Sequence, residues 1–383
     1  MNNFDDIRPY NPDELQDVYT RLLNADGFKD VLSAIYPGVP IDDVEKKMRS
    51  CKTSLEFQKN FCAPFLQDLV NKLSTGLEID FSSVDITKRY TFVSNHRDII
   101  LDSAFLSLCL LLSGCDTTVE IGIGDNLLIY PWIRDFVRLN KSFIVQRGLS
   151  LRETLLSSKH MSEYMHYAIN EKHENLWIAQ REGRSKDSSD MTQPSVLKMM
   201  AMGGEGSMKE RLIDMHICPL CISYEYDPCD YLKAKEFQLK RDDPNYKKKP
   251  QDDLVNMQTG LMGYKGHIHF QCAPCIDEYV QSLPDDMQKT DFFDNVATYI
   301  SREIHRSYSI YPVNRIACDL LDGKISYDGY TDAEIESFEV YISRQISKVD
   351  LVEKDETFLR ECILKMYSNP LKNFLKANSF EKK

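Results

Sequence analysis

Residues 90–102 read YTFVSNHRDIILD, a short apolar run joined to the start of a helix by polar residues. Tyr90–Val93 has the aromatic and β-branched composition that is typical of a buried strand. The segment from Ile99 to Leu112 carries apolar residues at helical spacing. A strand-to-helix junction presents side chains at the end of a sheet, beside the free N–H groups and the positive dipole end of the helix. The stretch therefore predicts a βα unit with reactive polar residues at its turn.

The same alternation continues along the chain. Further apolar runs with strand character are separated by helical stretches, and they occupy residues 118–123, 142–145, 175–179, 216–226 and 266–270. This pattern predicts a layered α/β fold, with a mixed sheet and flanking helices. Both ends of the chain have helical spacing instead. We expect an N-terminal helical domain over residues 1–85, an α/β domain over 86–285 and a C-terminal helical extension over 286–383.

Composition and charge exclude several classes of protein. The 383 residues are 42% apolar and carry a formal net charge of -12, which is typical of a globular protein and makes a nucleic-acid partner unexpected. Many of the 11 cysteines lie in apolar runs, so we interpret them as reduced and intracellular. The longest apolar stretch, residues 103–115, is too short to cross a hydrocarbon core of about 30 Å. We therefore expect a cytoplasmic protein.

His96 is the first candidate for catalysis. A carboxylate that accepts the Nδ1 proton of a histidine leaves Nε2 free to take a proton from a hydroxyl, which is the arrangement of a general base. Two acids compete for this role, since Asp98 and Asp102 both follow within about two helical turns. Asp98 is well placed to cap the helix. Asp102 lies one turn deeper on an apolar helix, so it is the expected partner of His96.

A second candidate feature is a group of cations at strand ends. Arg147 ends the predicted strand 142–145, and Arg184 and Lys186 follow the strand at 175–179. Because the carboxyl ends of parallel strands meet at one edge of a sheet, these residues could surround one anion. Arginine forks suit phosphate in particular.

Four segments in series resemble the glycerophosphate and lysophospholipid acyltransferase family. The corresponding blocks of that family are an Asn-His-x4-Asp block, a Phe-Ile-x-Arg strand, a Glu-Gly-x-Arg-Ser loop and a strand with Pro before Ser-Tyr-Glu. The matching segments here are Asn95–Asp102, Phe143–Arg147, Glu182–Ser185 and Pro219–Glu225. The first has one residue too many between His and Asp, and the third is one residue short. The resemblance covers roughly residues 86–285.

The resemblance implies transfer of a fatty acyl group from acyl-CoA or an acyl carrier protein to a hydroxyl of a glycerol 3-phosphate or lysophospholipid acceptor. His96 and Asp102 would be catalytic. The residues expected to contact substrate are Asn95, Arg97, Arg147, Glu182, Gly183, Arg184, Ser185, Lys186 and Pro219, the last lining the acyl site. No metal or tightly bound cofactor is expected, and the partners would be the thioester donor, the lipid acceptor and a membrane surface.

Two alternatives stay open at this point. The acceptor could be a lyso-aminolipid or another hydroxyl compound. A different class of protein is indicated by two Cys-x2-Cys pairs, a spacing found in zinc sites. That hypothesis is a zinc-stabilised interaction protein using Cys218, Cys221, Cys272 and Cys275.

A cluster of basic residues suggests how the protein meets a membrane. Residues 231–250 contain seven cations in an otherwise acidic chain. Each cation near an anionic lipid surface contributes about 1 kcal/mol of attraction. The sequence therefore predicts peripheral, salt-sensitive binding at the inner face of the membrane.

Overall fold

A computed structural model describes residues 4–36 and 38–379, and its centre is a seven-stranded sheet. The strands are β1 (Gly76–Asp80), β2 (Thr91–Ser94), β3 (Val119–Gly124), β4 (Ser142–Val145), β5 (Asn175–Ala179), β6 (Ile217–Tyr224) and β7 (His267–Cys272). Their order in the sheet is β1-β7-β6-β2-β5-β3-β4. All neighbouring pairs are parallel except β6 and β7, which are antiparallel. The predicted α/β fold with a mixed sheet is confirmed.

Helices surround this sheet and form both ends of the chain. Before and within the first half of the sheet they are α1 (Leu15–Leu23), α2 (Asp26–Ile35), α3 (Ile41–Ser50), α4 (Ser54–Phe57), α5 (Ala63–Leu73), α6 (Leu101–Leu112), α7 (Pro131–Leu139), α8 (Leu151–Asn170), α9 (Pro194–Met200) and α10 (Met208–Ile213). The remaining helices are α11 (Asp230–Asp242), α12 (Pro250–Met262), α13 (Asp277–Ser282), α14 (Lys289–Arg306), α15 (Pro312–Asp322), α16 (Asp332–Ser347) and α17 (Glu356–Ser379). A π-helical turn, Gln58–Cys62, joins α4 to α5.

The first strand corrects one sequence-based interpretation. Residues 1–85 were expected to be wholly helical, but Gly76–Asp80 pairs in parallel with β7. This edge strand has two apolar side chains, Leu77 and Ile79, which alternate with Glu78 and Asp80, and its conformation depends on β7 as a partner. The sheet therefore begins before residue 86.

Four apolar clusters divide the interior. One lies on the face of the sheet covered by α8, α9 and α14, and a second on the face covered by α5 and α6. A third joins α1, α2 and α3 to α7. The fourth packs α15, α16 and α17 against α11. The N-terminal and C-terminal helices are thus both anchored on elements that belong to the α/β region.

A buried carboxylate reinforces the C-terminal attachment. Asp230, at the start of α11, accepts hydrogen bonds from Tyr341 Oη at 2.7 Å and from Tyr367 Oη at 2.9 Å. Burial raises the pKa of Asp230 to about 7, although these hydrogen bonds oppose the change. The contact fixes α16 and α17 against the insertion between β6 and β7.

The strand directions bring the candidate residues to one end of the sheet. β2, β3, β4, β5 and β6 all run the same way, so their carboxyl ends lie together. The turns that follow β2, β4 and β5 carry most of the candidate residues found from sequence. Residues far apart in the chain are thereby brought to one place.

Candidate active site

Asn95 fixes the turn that carries the candidate base. Its side chain is fully buried, donating to the backbone oxygen of Ile222 at 2.9 Å and accepting from the backbone nitrogen of the same residue at 2.8 Å. The turn after β2 is thus bound to the end of β6. On the other side, Trp177 Nε1 of β5 donates to Ser94 Oγ at 3.0 Å. The two neighbouring strands therefore hold the two residues before His96, Ser94 and Asn95.

His96 and Asp102 form the expected pair. His96 Nδ1 lies 2.7 Å from Asp102 Oδ2. The same oxygen accepts the backbone N–H groups of Arg97 at 2.7 Å and Asp98 at 3.1 Å. With its carboxylate oxygen already accepting from two N–H groups, Asp102 is suited to accept the Nδ1 proton of His96 as well. His96 Nε2 is then available as a proton acceptor.

Tyr224 binds the other oxygen of Asp102. Its hydroxyl donates to Asp102 Oδ1 at 3.1 Å, across the turn from β6. Burial and the charges of Asp102 and Asp98 raise the pKa of Tyr224 well above its usual value, so the hydroxyl keeps its proton. Asp102, which has no exposed surface, is therefore held at both oxygens.

Asp98 occupies the position expected of a cap. Its Oδ1 accepts the backbone N–H groups of Ile100 at 2.9 Å and Leu101 at 2.8 Å, at the entrance to α6. Burial raises the pKa of Asp98, and the charge of Asp102 acts in the same direction. The geometry separates the two rival acids, since Asp102 contacts the imidazole and Asp98 contacts the helix.

A large cavity opens beside His96. Its volume is about 1440 Å³, above the ~300–1,000 Å³ that is usual for small-molecule sites. Most of its wall is apolar and comes from the N-terminal helices, α6, α7 and α12. Representative apolar lining residues are Leu32, Phe61, Leu108, Phe136, Met257 and Leu261.

Cations line another part of the same cavity. Arg147, Glu182, Gly183, Arg184 and Lys186 all line it, as expected from their positions at strand ends. Arg147 Nη1 lies 3.0 Å from Glu182 Oε1. Lys186 Nζ lies 2.6 Å from Glu236 Oε1, and burial lowers the pKa of Lys186 while this contact opposes the change. These two cations are therefore partly neutralised.

The guanidinium groups of Arg184 and Arg181 keep free donors. Arg184 Nη2 donates to Asn256 Oδ1 of α12 at 2.9 Å. Its Nη1 and Arg181 Nε are buried and have no hydrogen-bond partner in the described part of the chain. Buried donors that lack partners are costly, and both arginines line the cavity.

Four residues expected to contact substrate do not line the cavity. Both polar atoms of the Asn95 side chain are bonded to Ile222, as described above. Arg97 is buried and pairs with Asp190 and Ser188 away from the cavity. Ser185 is buried and donates to Asp187 at 3.1 Å, and Pro219 is buried within β6. In the structure the side chains of these four residues contact other parts of the protein, and their contact with substrate stays a prediction.

The four-thiolate zinc hypothesis is also wrong. Side chains three positions apart on a strand point to opposite faces. Cys218 accordingly belongs to the cluster on one face of the sheet with Cys272, whereas Cys221 belongs to the cluster on the other face. The four thiols therefore cannot converge on one ion. All eleven cysteines are free thiols.

Sequence analysis missed several contributors to the site. Tyr224 stands in a quoted motif, but its contact with Asp102 depends on the β2–β6 pairing. Arg181 was passed over, although it begins the same polar loop as Arg184. Asn256 and the apolar wall from α2 and α12 carry no local signal. Only packing brings them to the cavity.

Comparison with known proteins identifies the class. Residues 78–223 match the family model described as Acyltransferase, a range that includes His96, Asp102 and all four motifs up to Ser223. This match shows an acyltransferase domain over residues 78–223, which confirms the resemblance drawn from the motifs, and the protein is an acyltransferase enzyme.

Among solved structures, the chain is similar to the 1-acyl-sn-glycerophosphate (LPA) acyltransferase PlsC from Thermotoga maritima. The two share 10% sequence identity and a TM-score of 0.36, over 78% of this chain and 96% of that chain. No match to a curated protein was found.

The distinct positions of the three ionisable residues lead to a first prediction. His96→Ala and Asp102→Asn should each lower kcat by at least about 100-fold, the usual size of a general-base contribution, while leaving the protein folded. Asp98→Asn keeps an oxygen for the cap, so we expect near-normal turnover and a loss of at most about 1 kcal/mol in unfolding free energy. Steady-state kinetics and urea denaturation measure the two effects. An inactive Asp98→Asn beside an active, folded Asp102→Asn would reverse the assignment.

A second prediction concerns Tyr224. Tyr224→Phe removes one hydrogen bond to a charged group, worth about 1.5–3 kcal/mol, and so should lower kcat about tenfold or more with KM nearly unchanged. Tyr226→Phe is the matched control, because Tyr226 packs against Tyr264 and Tyr341 and has no contact with Asp102. Equal rates for both variants would mean that Tyr224 does not position Asp102.

Proposed function

We propose that this acyltransferase moves a fatty acyl group from an acyl thioester to a hydroxyl of a glycerol phosphate or lysophospholipid acceptor. The proposal rests on one observation: His96, many apolar side chains and a group of cations all line the same cavity. The apolar wall suits an acyl chain, and the unpartnered guanidinium donors suit a phosphate.

The reaction would proceed by direct transfer. His96 Nε2 takes the proton of the acceptor hydroxyl, and the resulting oxygen attacks the thioester carbonyl carbon. The carbon–sulfur bond then breaks, and the thiolate leaves with the proton from the imidazolium. The products are an ester and a free thiol, so the atoms balance without a further reactant. Asp102 would stabilise the imidazolium between the two steps.

The donor would be acyl-CoA or an acylated carrier protein, since both present the same thioester. Transfer from either donor requires no metal at His96, because the base, its carboxylate and the acceptor hydroxyl suffice for proton transfer. The competing acceptor is a lyso-aminolipid or another hydroxyl compound without phosphate. The free donors on Arg181 and Arg184 favour a phosphate over those acceptors.

An acceptor screen tests this proposal. Purified protein is supplied with an acyl-CoA and with glycerol 3-phosphate, lysophosphatidic acid or a lyso-aminolipid, and products are measured by lipid mass spectrometry. We expect transfer to a phosphate-bearing acceptor, and none with His96→Ala. Arg184→Ala should raise the acceptor KM about tenfold or more and change the donor KM little, because the lost contact is to the phosphate.

Arg152→Ala serves as the matched control, since Arg152 is exposed on α8 and does not line the cavity. Transfer to the lyso-aminolipid alone would contradict the phosphate acceptor. An equal rise in both KM values would remove Arg184 from the acceptor site.

Membrane attachment is the second part of the proposal. Within the described residues, no helix has the length and apolar character needed to cross a bilayer. Ion pairs hold five of the seven cations between residues 231 and 250, namely Lys233, Lys235, Lys240, Arg241 and Lys248. Lys247 and Lys249 are exposed. The electrostatic contribution to membrane binding is therefore smaller than the sequence suggested.

Exposed apolar side chains lie close to the cavity instead. Leu151, Leu155 and Leu156 of α8 are 90%, 62% and 60% exposed, and they flank the cavity-lining residues of the same helix. Ile100 and Met262 are exposed and also line the cavity. We propose that this apolar rim, made of these five residues, enters the membrane surface and lets a lipid acceptor reach His96.

Vesicle flotation checks the rim. The double variant Leu151→Glu/Leu155→Glu should lower binding to anionic vesicles at least tenfold, because each buried leucine is worth about 1.5–3 kcal/mol. High salt should weaken wild-type binding less than the double substitution does, because salt screens only the exposed charges. Leu375→Glu, at an exposed position of α17, is the control and should bind normally. Binding that salt abolishes and the double variant retains would show that attachment is electrostatic.

A further inference from the structure

A histidine, a cysteine and an aspartate meet at the end of the sheet opposite His96. His216 directly precedes β6, which starts beside Thr91 at the beginning of β2. β7 runs antiparallel to β6, so the chain leaving β7 returns to the start of β6. Ile276 N donates to Ile217 O at 2.9 Å and extends this pairing. Cys275 and Asp277 are thereby brought to His216.

The three side chains are close enough to share one ion. One potential ligand atom from each, a ring nitrogen, a sulfur and a carboxylate oxygen, lies within 4.8 Å of the other two. In the structure His216 Nδ1 contacts Asp277 Oδ2 at 2.8 Å. All three residues are half-buried.

Two further features distinguish this cluster from an ordinary ion pair. The second carboxylate oxygen, Asp277 Oδ1, is buried and has no hydrogen-bond partner in the described ranges. His216 has a φ of 45°, a left-handed conformation that residues with a Cβ seldom adopt and that persists where the surroundings impose it. At this backbone position the ring lies against Asp277.

The donor set selects the metal. Calcium and magnesium prefer oxygen ligands throughout, whereas nitrogen, thiolate and carboxylate together suit zinc. With bonds of about 2.0–2.3 Å, the ligand atoms of a tetrahedral zinc site lie about 3.2–3.8 Å apart. Small rotations of the half-buried side chains close the present cluster to that spacing.

We propose that His216, Cys275 and Asp277 bind a Zn²⁺ ion, with water as the fourth ligand. On binding, the Cys275 thiol gives up its proton to solvent, and the neutral imidazole of His216 coordinates through Nδ1. The ion replaces the contact between His216 and Asp277. It links the start of β6 to the start of α13, and so stabilises the sheet at the end remote from the acyl-transfer site.

Cobalt titration of the purified, metal-free full chain tests the proposal. One equivalent of Co²⁺ should produce a thiolate-to-metal charge-transfer band with the visible bands of tetrahedral cobalt, and Zn²⁺ should displace it. Zn²⁺ should also raise the Tm, since a ligand that binds only the folded state stabilises it. Cys275→Ser should abolish the charge-transfer band, and Asp277→Asn should weaken Zn²⁺ binding at least tenfold.

Cys62→Ser is the matched control, because Cys62 is the other half-buried cysteine and lies in the turn between α4 and α5. It should keep the band. Circular dichroism checks that each variant is folded, and if Cys275→Ser is not, Asp277→Asn decides by its affinity. Absence of stoichiometric binding, or a band of equal strength in Cys275→Ser, would overturn the proposal. Neither result depends on acyl-transfer activity.

Discussion

The buried carboxylate of Asp102 is the constraint on which the site depends. An ionised group with no exposed surface must be surrounded by donors, and here they are the His96 ring, two backbone N–H groups and the Tyr224 hydroxyl. Each donor comes from a different part of the turn or from β6. Satisfying one carboxylate therefore sets the imidazole orientation, the backbone of the turn and the position of β6 relative to β2.

The same carboxylate organises the turn between His96 and Asp102. The backbone N–H groups of Arg97 and Asp98 in this turn both donate to it. Asp98 then occupies the cap position at the entrance to α6. Asn95 closes the turn from the other side through its two hydrogen bonds to Ile222. The motif residues thus divide into those that react and those that shape the backbone.

The helical regions at both ends have different relations to the site. The N-terminal helices form part of the cavity wall, so residues outside the matched family range contribute to the space available for substrate. Among the described residues, the C-terminal helices contribute none to the cavity lining, and they pack on α11 through Asp230 and its tyrosine partners. α12 contributes to the site in two ways, because it lines the cavity and its Asn256 binds Arg184. Its position therefore affects both the apolar wall and the cationic part.

The sequence by itself determined the α/β class, the acyltransferase motifs and the pairing of His96 with Asp102. These depend on local information: strand and helix periodicity, and two residues six apart at one turn. It also indicated the cavity-lining cations at strand ends. Local pattern did not show that Arg97, Ser185 and Pro219 are buried outside the cavity lining. It failed for Gly76–Asp80, whose strand conformation depends on β7. Tertiary structure alone decided which cations are neutralised, which thiols share a face and where Tyr224 lies, because each depends on partners distant in the chain.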